Sequence, residues 1–306
     1  MIVELIREPD QVSPRGGLIR GTRRPPGWTP SGPPPHPPED RSALWPETGE
    51  DLCMLAGDWR LLQRTDGHRF SLDDLVTAWF AASTAPFQSS ASAPPNSRIL
   101  DMGCGIGTVL LLMAWRFPHA RVVGIEAQAL SAGLARRSLA WNGIEDRCVV
   151  LSGDLREPLP PNPWNLDRFD LITGTPPYFP RGTGIESEHV QKGPCRFEHR
   201  GGIEAYCAAA APRLAPGAPF VACAAATQAE RVRAGAEAAG LIIDRWRDII
   251  PRVGKAPLLS VFSMRARQPE NAAPPTVVEP PLVVRHADGR RTEEFTAVRA
   301  AMGMPS

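Results

Sequence analysis

Arg98-Ile-Leu-Asp101-Met-Gly103-Cys-Gly105-Ile-Gly107-Thr108-Val-Leu-Leu-Leu-Met-Ala-Trp-Arg116 reads as a short buried strand, a glycine-rich turn and a helix. A strand running through glycines into a helix is the local arrangement that brings backbone close to a nucleotide-type ligand. Glycine permits that approach because no Cβ stands in the way. The spacing is not G-x-G-x-x-G, since the third glycine arrives one residue early. Such a tight turn, with no room for a pyrophosphate, suits a ligand without phosphate. Asp101, at the strand's carboxyl end, is placed to accept a hydrogen bond from an ammonium group or a bridging water.

Downstream, strand and helix patterns alternate. Arg121 to Glu126 reads as a strand, Ala129 to Asn142 as a helix, and Arg147 to Leu151 and Phe169 to Thr173 as strands. Helices follow over 203–214 and 227–239, with strands over 219–223, 241–243 and 258–262. Strands separated by helices predict a parallel sheet covered on both faces. Glu126 ends the second strand roughly 20 residues beyond the glycines, where a carboxylate can take both hydroxyls of a ribose. Asp154 follows the third strand and is a candidate acceptor for an adenine amino group.

Upstream, Trp59 to Arg64 reads as a strand. Thr65-Asp-Gly67 signals a hairpin returning over His68-Arg-Phe70. Ser71 to Asp74 then forms a capping box opening a helix over 72–82. Residues 1–50 are rich in Pro, Gly and Arg, including Gly32-Pro-Pro-Pro-His-Pro-Pro38. By composition that segment is expected to be disordered or locally polyproline II. The chain therefore divides into a Pro/Arg-rich extension (1–50), a hairpin and helix (51–97), an α/β domain (98–266) and a C-terminal extension (267–306). The last is read as a hairpin over 282–291 and a short helix over 292–302.

Bulk properties narrow the function. Of 306 residues, 42% are hydrophobic and 22% charged, ordinary for a soluble globular chain. A net charge of +1 argues against a generic polyanion-binding surface but leaves room for a local basic groove. The 6 cysteines form no C-x-x-C pair and no zinc pattern, so reduced thiols in a cytosol-like compartment and no metal are expected. The N-terminus lacks a long apolar run, so no secretory signal and no membrane partner are expected, which points to the cytoplasm.

Thr175-Pro176-Pro177-Tyr178 follows the fourth strand of the domain. Together with Asp101, Gly103, Gly105, Gly107, Glu126 and Asp154, it resembles the amino-methylating S-adenosylmethionine (SAM)-dependent methyltransferases, whose motif is Asn/Asp/Ser-Pro-Pro-Tyr/Phe. Gly67 to Asp73, Tyr178-Phe179, Arg196 to Gly201 and Asp288-Gly289…Thr292 are similar to the bacterial group that methylates adenine N6 in a valine tRNA. The resemblance implies a Rossmann-like class I fold with a seven-stranded, mainly parallel sheet and an antiparallel final strand. It implies SAM as cofactor, held by the glycine turn, Glu126 and Asp154, with Phe70 and Asp73 covering its methionine end. It further implies an exocyclic amine as acceptor, in tRNA or other structured RNA, clasped by Thr175 and the Pro176 carbonyl and stacked on Tyr178. Arg181, Arg196 and Arg200, with Lys192, flank the motif as candidate phosphate contacts.

Thr175 departs from the motif. Its hydroxyl accepts a hydrogen bond but is shorter than an Asn side chain and stiffer at χ1. Protein glutamine methylation fits the same chemistry, and a SAM-binding scaffold with weak turnover is the alternative outside enzymes. A nicotinamide-dependent oxidoreductase shares the fold class, but the glycine spacing and Pro-Pro-Tyr speak against it.

Overall fold

The computed structural model describes residues 6–86, 96–179, 182, 191, 197–267 and 274–305. In chain order the strands are β1 (Ile6–Arg7), β2 (Gln11–Val12), β3 (Leu18–Ile19), β4 (Arg23–Arg24), β5 (Glu50–Met54), β6 (Arg60–Arg64), β7 (Arg98–Met102), β8 (Arg121–Glu126), β9 (Cys148–Ser152), β10 (Leu171–Gly174), β11 (Phe220–Ala225), β12 (Leu241–Ile250), β13 (Leu259–Ala266) and β14 (Val277–Val283). The helices are α1 (Leu72–Thr84), α2 (Thr108–Arg116), α3 (Ala129–Asn142), α4 (Ile203–Ala210), α5 (Ala229–Ala238) and α6 (Glu293–Ala301).

The main sheet has 8 strands in the order β14-β12-β13-β11-β10-β7-β8-β9. From β11 to β9 every pairing is parallel. β13 runs antiparallel to both β11 and β12. The expected seven strands with an antiparallel last member are therefore present, and β14 adds an eighth, parallel to β12. Both faces are covered. Alternate residues of one strand enter opposite cores: Ile99 and Val122 pack with α1–α3, while Leu100 and Val123 pack with α4 and α5. Strands buried on both faces need continuous apolar runs, which is how β7, β8 and β11 read.

From β7 the chain moves outward through β8 to β9, then returns to the other side of β7 as β10. That reversal opens a crevice at the carboxyl ends of β7 and β10, the place where open α/β sheets bind ligands.

Three local expectations are corrected. β6 does not pair forward with 68–70; it pairs backward with β5, Leu52 opposite Leu62. Gly67 instead seats the buried Gln191, whose amide oxygen would lie 1.9 Å from a Cβ there and accepts the His68 N–H. The C-terminal hairpin reduces to one Arg285–Arg291 bridge, and its first arm begins earlier as β14. Pro280 and Pro281 are tolerated in that strand because it lies at the sheet edge, where missing N–H donors are not needed by a neighbour.

The third correction concerns the Pro-rich extension. β2 and β3 join β5 and β6 in a four-stranded sheet. The Pro33 carbonyl accepts the Trp59 indole N–H, and the His36 N–H donates to the Asn142 carbonyl. Proline has a fixed φ and no N–H, so packing it orders few new torsions and strands few donors. The small sheet is fastened to α3 by buried polar groups: Asn142 bonds both backbone groups of Arg60, and Ser138 Oγ accepts the Leu62 N–H.

Candidate active site

The crevice at the switch point is built on three glycines. Gly103, Gly105 and Gly107 have φ of 61°, 56° and 89°. Such a left-handed backbone is strained for any residue with a Cβ. Gly103 has a second reason: a Cβ there would lie 2.1 Å from the Tyr206 hydroxyl. The Tyr206 ring also lies against Gly174 at the end of β10, so it plugs the floor between the two central strands. Gly107 serves as the N-cap of α2.

Glu126 is 94% buried on its side of this turn, with 6% of its surface exposed. Its Oε2 accepts the Gly105 N–H at 2.9 Å and its Oε1 the Gln128 N–H at 2.7 Å. Burial pushes its pKa up, against those two backbone donors. Each carboxylate oxygen retains a further lone pair for a ligand hydroxyl.

One cavity is lined by Gly103, Gly105, Glu126, Asp154, Thr175 to Tyr178, Asp73 and Arg200. Thus the glycine turn, the strand-end acid and the Pro-Pro-Tyr segment open onto a common space. Asp101 does not line it. It lies beneath the turn, 2% exposed, and accepts a hydrogen bond from Thr173 Oγ1 at 2.8 Å. Burial drives its pKa up to about 7. Its place is support of the turn rather than contact with a ligand. Phe70 also lies elsewhere, on the wall of a neighbouring cavity.

Asp154 faces the cavity but is already engaged. Arg156 grips it through Nε and a terminal nitrogen at 2.9 and 2.7 Å, and Arg200 Nε stands 4.0 Å away. The Arg156 hydrogen bond, first among the causes, holds its carboxyl below the usual range.

Tyr178 is pinned. Its hydroxyl donates to Asp73 Oδ2 at 3.1 Å and lies 3.0 Å from Cys223 Sγ, while its carbonyl accepts from Gln228 Nε2 at 2.5 Å. Burial keeps it a neutral phenol, its pKa pushed far up. Asp73 also accepts the Ser71 hydroxyl. Asp74 closes the expected capping box from Ser71 and is itself a cavity residue, 5% exposed, its pKa pushed far up by burial and by Asp73 beside it. The capping role was legible from spacing; nothing local signalled that Asp74 or Tyr206 would reach the site. Phe179, next to Tyr178, is 47% exposed and tilts against Phe197 at 5.8 Å between ring centres. Arg181, Lys192 and Arg196 lie outside the described residues.

Asp73, Asp74 and Glu126 thus crowd one cavity, with Asp101 below it and Arg200 the cation on its wall. Burial disfavours the charged forms of Asp74 and Glu126, and Asp73 adds its repulsion at Asp74, so a cationic ligand is what this donor set accommodates best. Among the described residues no group of three or more His, Cys, Asp or Glu could hold a metal ion.

Residues 94–184 match the family model of a methyltransferase domain. The chain is 35% identical over 117 residues to the tRNA1(Val) (adenine(37)-N6)-methyltransferase of Porphyromonas gingivalis, covering 38% of this chain and 45% of that one. It is 35% identical over 179 residues to the release factor glutamine methyltransferase of Bordetella pertussis, covering 56% of this chain and 60% of that one. The chain therefore spans less than two thirds of either relative. A crystal structure described as a predicted O-methyltransferase from Agrobacterium tumefaciens superposes with a TM-score of 0.52 at 19% identity, covering 76% of this chain and 98% of the other. The fold is the Rossmann-like one of class I SAM-dependent methyltransferases. Among the described residues no helix is long and apolar enough to cross a membrane.

Proposed function

We propose that the protein transfers a methyl group from SAM to an exocyclic amine, that of adenine in structured RNA. The observation that carries this reading is the single cavity shared by Gly105, Glu126 and Thr175 to Tyr178, walled by buried carboxylates. SAM fits the donor set: Glu126 would take its two ribose hydroxyls, and Asp73 and Asp74 would face its positive charges. When bound, it supplies a methyl group already activated for displacement.

The chain's part is alignment. An amine conjugated to a ring is a poor nucleophile because its lone pair is delocalised. The Thr175 hydroxyl and the Pro176 carbonyl accept its two N–H groups, which turns the lone pair toward the methyl carbon. Pro176 holds its own φ, so the acceptor does not wander. Tyr178, fixed by Asp73 and Cys223, offers its ring as the stacking surface for a base taken out of its own stack. Bound SAM would supply the methyl carbon, its carbon–sulfur electron pair leaving with sulfur as the nitrogen–carbon bond forms. The methylated nitrogen then releases its extra proton to water. No general base is required for that loss.

A second reading, methylation of a protein glutamine amide, is favoured by one observation: the release-factor relative aligns over the longer stretch, 179 residues against 117. The amide nitrogen poses the same problem and the motif answers it in the same way. The two separate in one experiment. Purified protein is incubated with methyl-labelled SAM and total RNA, and separately with total protein. Label in RNA supports the adenine reading; label in protein alone replaces it with the second; label in neither, with SAM bound, leaves a scaffold.

A further inference from the structure

Beside the methyl-transfer cavity lies a second one, bounded by the N-terminal extension and the end of the chain. Arg20, Arg23, Arg24, Arg69 and Arg299 line it, with Asp10 as its acid. The two cavities share a wall: His68 lines the first, and the next residues, Arg69 and Phe70, line the second.

Some of these cations are neutralised within the fold. Arg24 pairs with Asp58, Arg20 with Asp10 and Asp51, and Arg69 with Asp51. Others are not. Arg23 is exposed and makes no ion pair among the described residues. Arg299, in α6, spends its donors on the Pro305 carbonyl and the Met304 sulfur instead of a carboxylate. Beyond it, Arg285 and Arg291 stand opposite each other in an antiparallel bridge. Like charges facing each other across a bridge cost stability. Burial first, and then repulsion from Arg291 and Arg285, lower the Arg299 pKa to about 10. Of the carboxylates near them in sequence, Asp288 pairs with Arg290 and Glu294 with Arg247, and Glu293 is exposed to solvent. A fold that keeps three arginines together with no acid between them is complemented by a polyanion from outside.

We infer that Arg23, Arg285, Arg291 and Arg299 form a track that holds the phosphate backbone of an RNA substrate while its target base occupies the neighbouring cavity. This rests on the RNA reading above and extends it from the base to the backbone. The track lies on the N- and C-terminal extensions. It borders the methyl-transfer cavity at the His68–Phe70 wall.

The test compares the full chain with its Arg285→Glu/Arg291→Glu and Arg285→Lys/Arg291→Lys variants. Binding to a bulk tRNA fraction is measured across a salt series, alongside SAM affinity, melting temperature and label transfer into RNA. Each lost phosphate contact should remove about 0.9 from the slope of log K against log salt, so the glutamate pair should lose roughly 2. Its affinity at low salt should fall at least about tenfold, with SAM affinity kept and the melting temperature little changed, since one like-charge pair replaces another across the bridge. The lysine pair should keep the slope. RNA methylation with unchanged RNA affinity and slope in the glutamate pair would overturn the track and leave the RNA reading standing. A fall in melting temperature or SAM affinity would assign these arginines to the fold and overturn it too. Label appearing only in protein would overturn the RNA reading itself, and the track with it.

Discussion

Replacing Gly103 by alanine tests whether the glycine turn and Tyr206 form one unit. At φ 61° a Cβ is strained, costing about 1–2 kcal/mol. The Cβ would also stand 2.1 Å from the Tyr206 hydroxyl, 3.2 Å from its Cζ and 3.6 Å from its Cε1. The first contact is impossible without movement; the others are tight but tolerable. Overpacking of this kind adds about 1–3 kcal/mol, so Gly103→Ala should destabilise by roughly 2–5 kcal/mol. Tyr206→Phe removes only the clashing atom and costs about 0.5–1.5 kcal/mol for the lost hydroxyl bond. The double variant should therefore be more stable than the sum of the singles by about 1 kcal/mol or more, a coupling well above the usual additivity error. Urea unfolding of the four proteins measures it. Calorimetry should show SAM binding lost in Gly103→Ala and partly regained in the double. Additivity within about 0.5 kcal/mol would refute the claim that Tyr206 dictates glycine here.

Glu126→Gln sets an amide NH2 against the N–H of Gly105 or Gln128, leaving a buried donor unpaired at about 1–3 kcal/mol, so SAM affinity should fall roughly 10- to 100-fold by calorimetry. Thr175→Asn restores the longer acceptor of the motif and should raise turnover about tenfold or more in a single-turnover label assay, with SAM affinity unchanged. Asp101 is stabilised as the neutral acid, so its contribution to folding is full at pH below about 4 and is lost as pH rises through about 7. Unfolding free energy from urea titrations should therefore decline over that window in the wild type. The decline should be shallower in Asp101→Asn, which stays neutral throughout.

What could be read in advance was local. β7, its glycines, α2 and Glu126 are specified by neighbours in sequence, because a positive φ admits few residues and a doubly buried strand demands an apolar run. What could not be read was held by distant contacts. Tyr178 takes its orientation from Asp73 and Cys223, 105 and 45 residues away. Gly67 looked like a hairpin residue, yet its lack of a Cβ serves Gln191. Asp101 looked like a ligand contact because it ends a strand before glycines, but the pleat turns it under the turn toward Thr173. The Pro-rich extension was misread for a different reason. Composition measures how little apolar surface a segment buries, while its prolines reduce what ordering it costs, and the Trp59 indole supplies an anchor that composition does not register.

Net charge misleads in the same way. A sum of +1 describes a chain with no electrostatic bias, yet the charges are sorted by place. Carboxylates gather where a small cation would sit, inside the cavity, and unpaired arginines gather outside it along the two extensions. Exchanging the two would leave the sum unchanged and invert the chemistry, since a basic cavity would repel a sulfonium and an acidic exterior would repel RNA. For the proposed methyl transfer from a cationic donor to RNA, the sorting, and not the total, is the electrostatic quantity that matters.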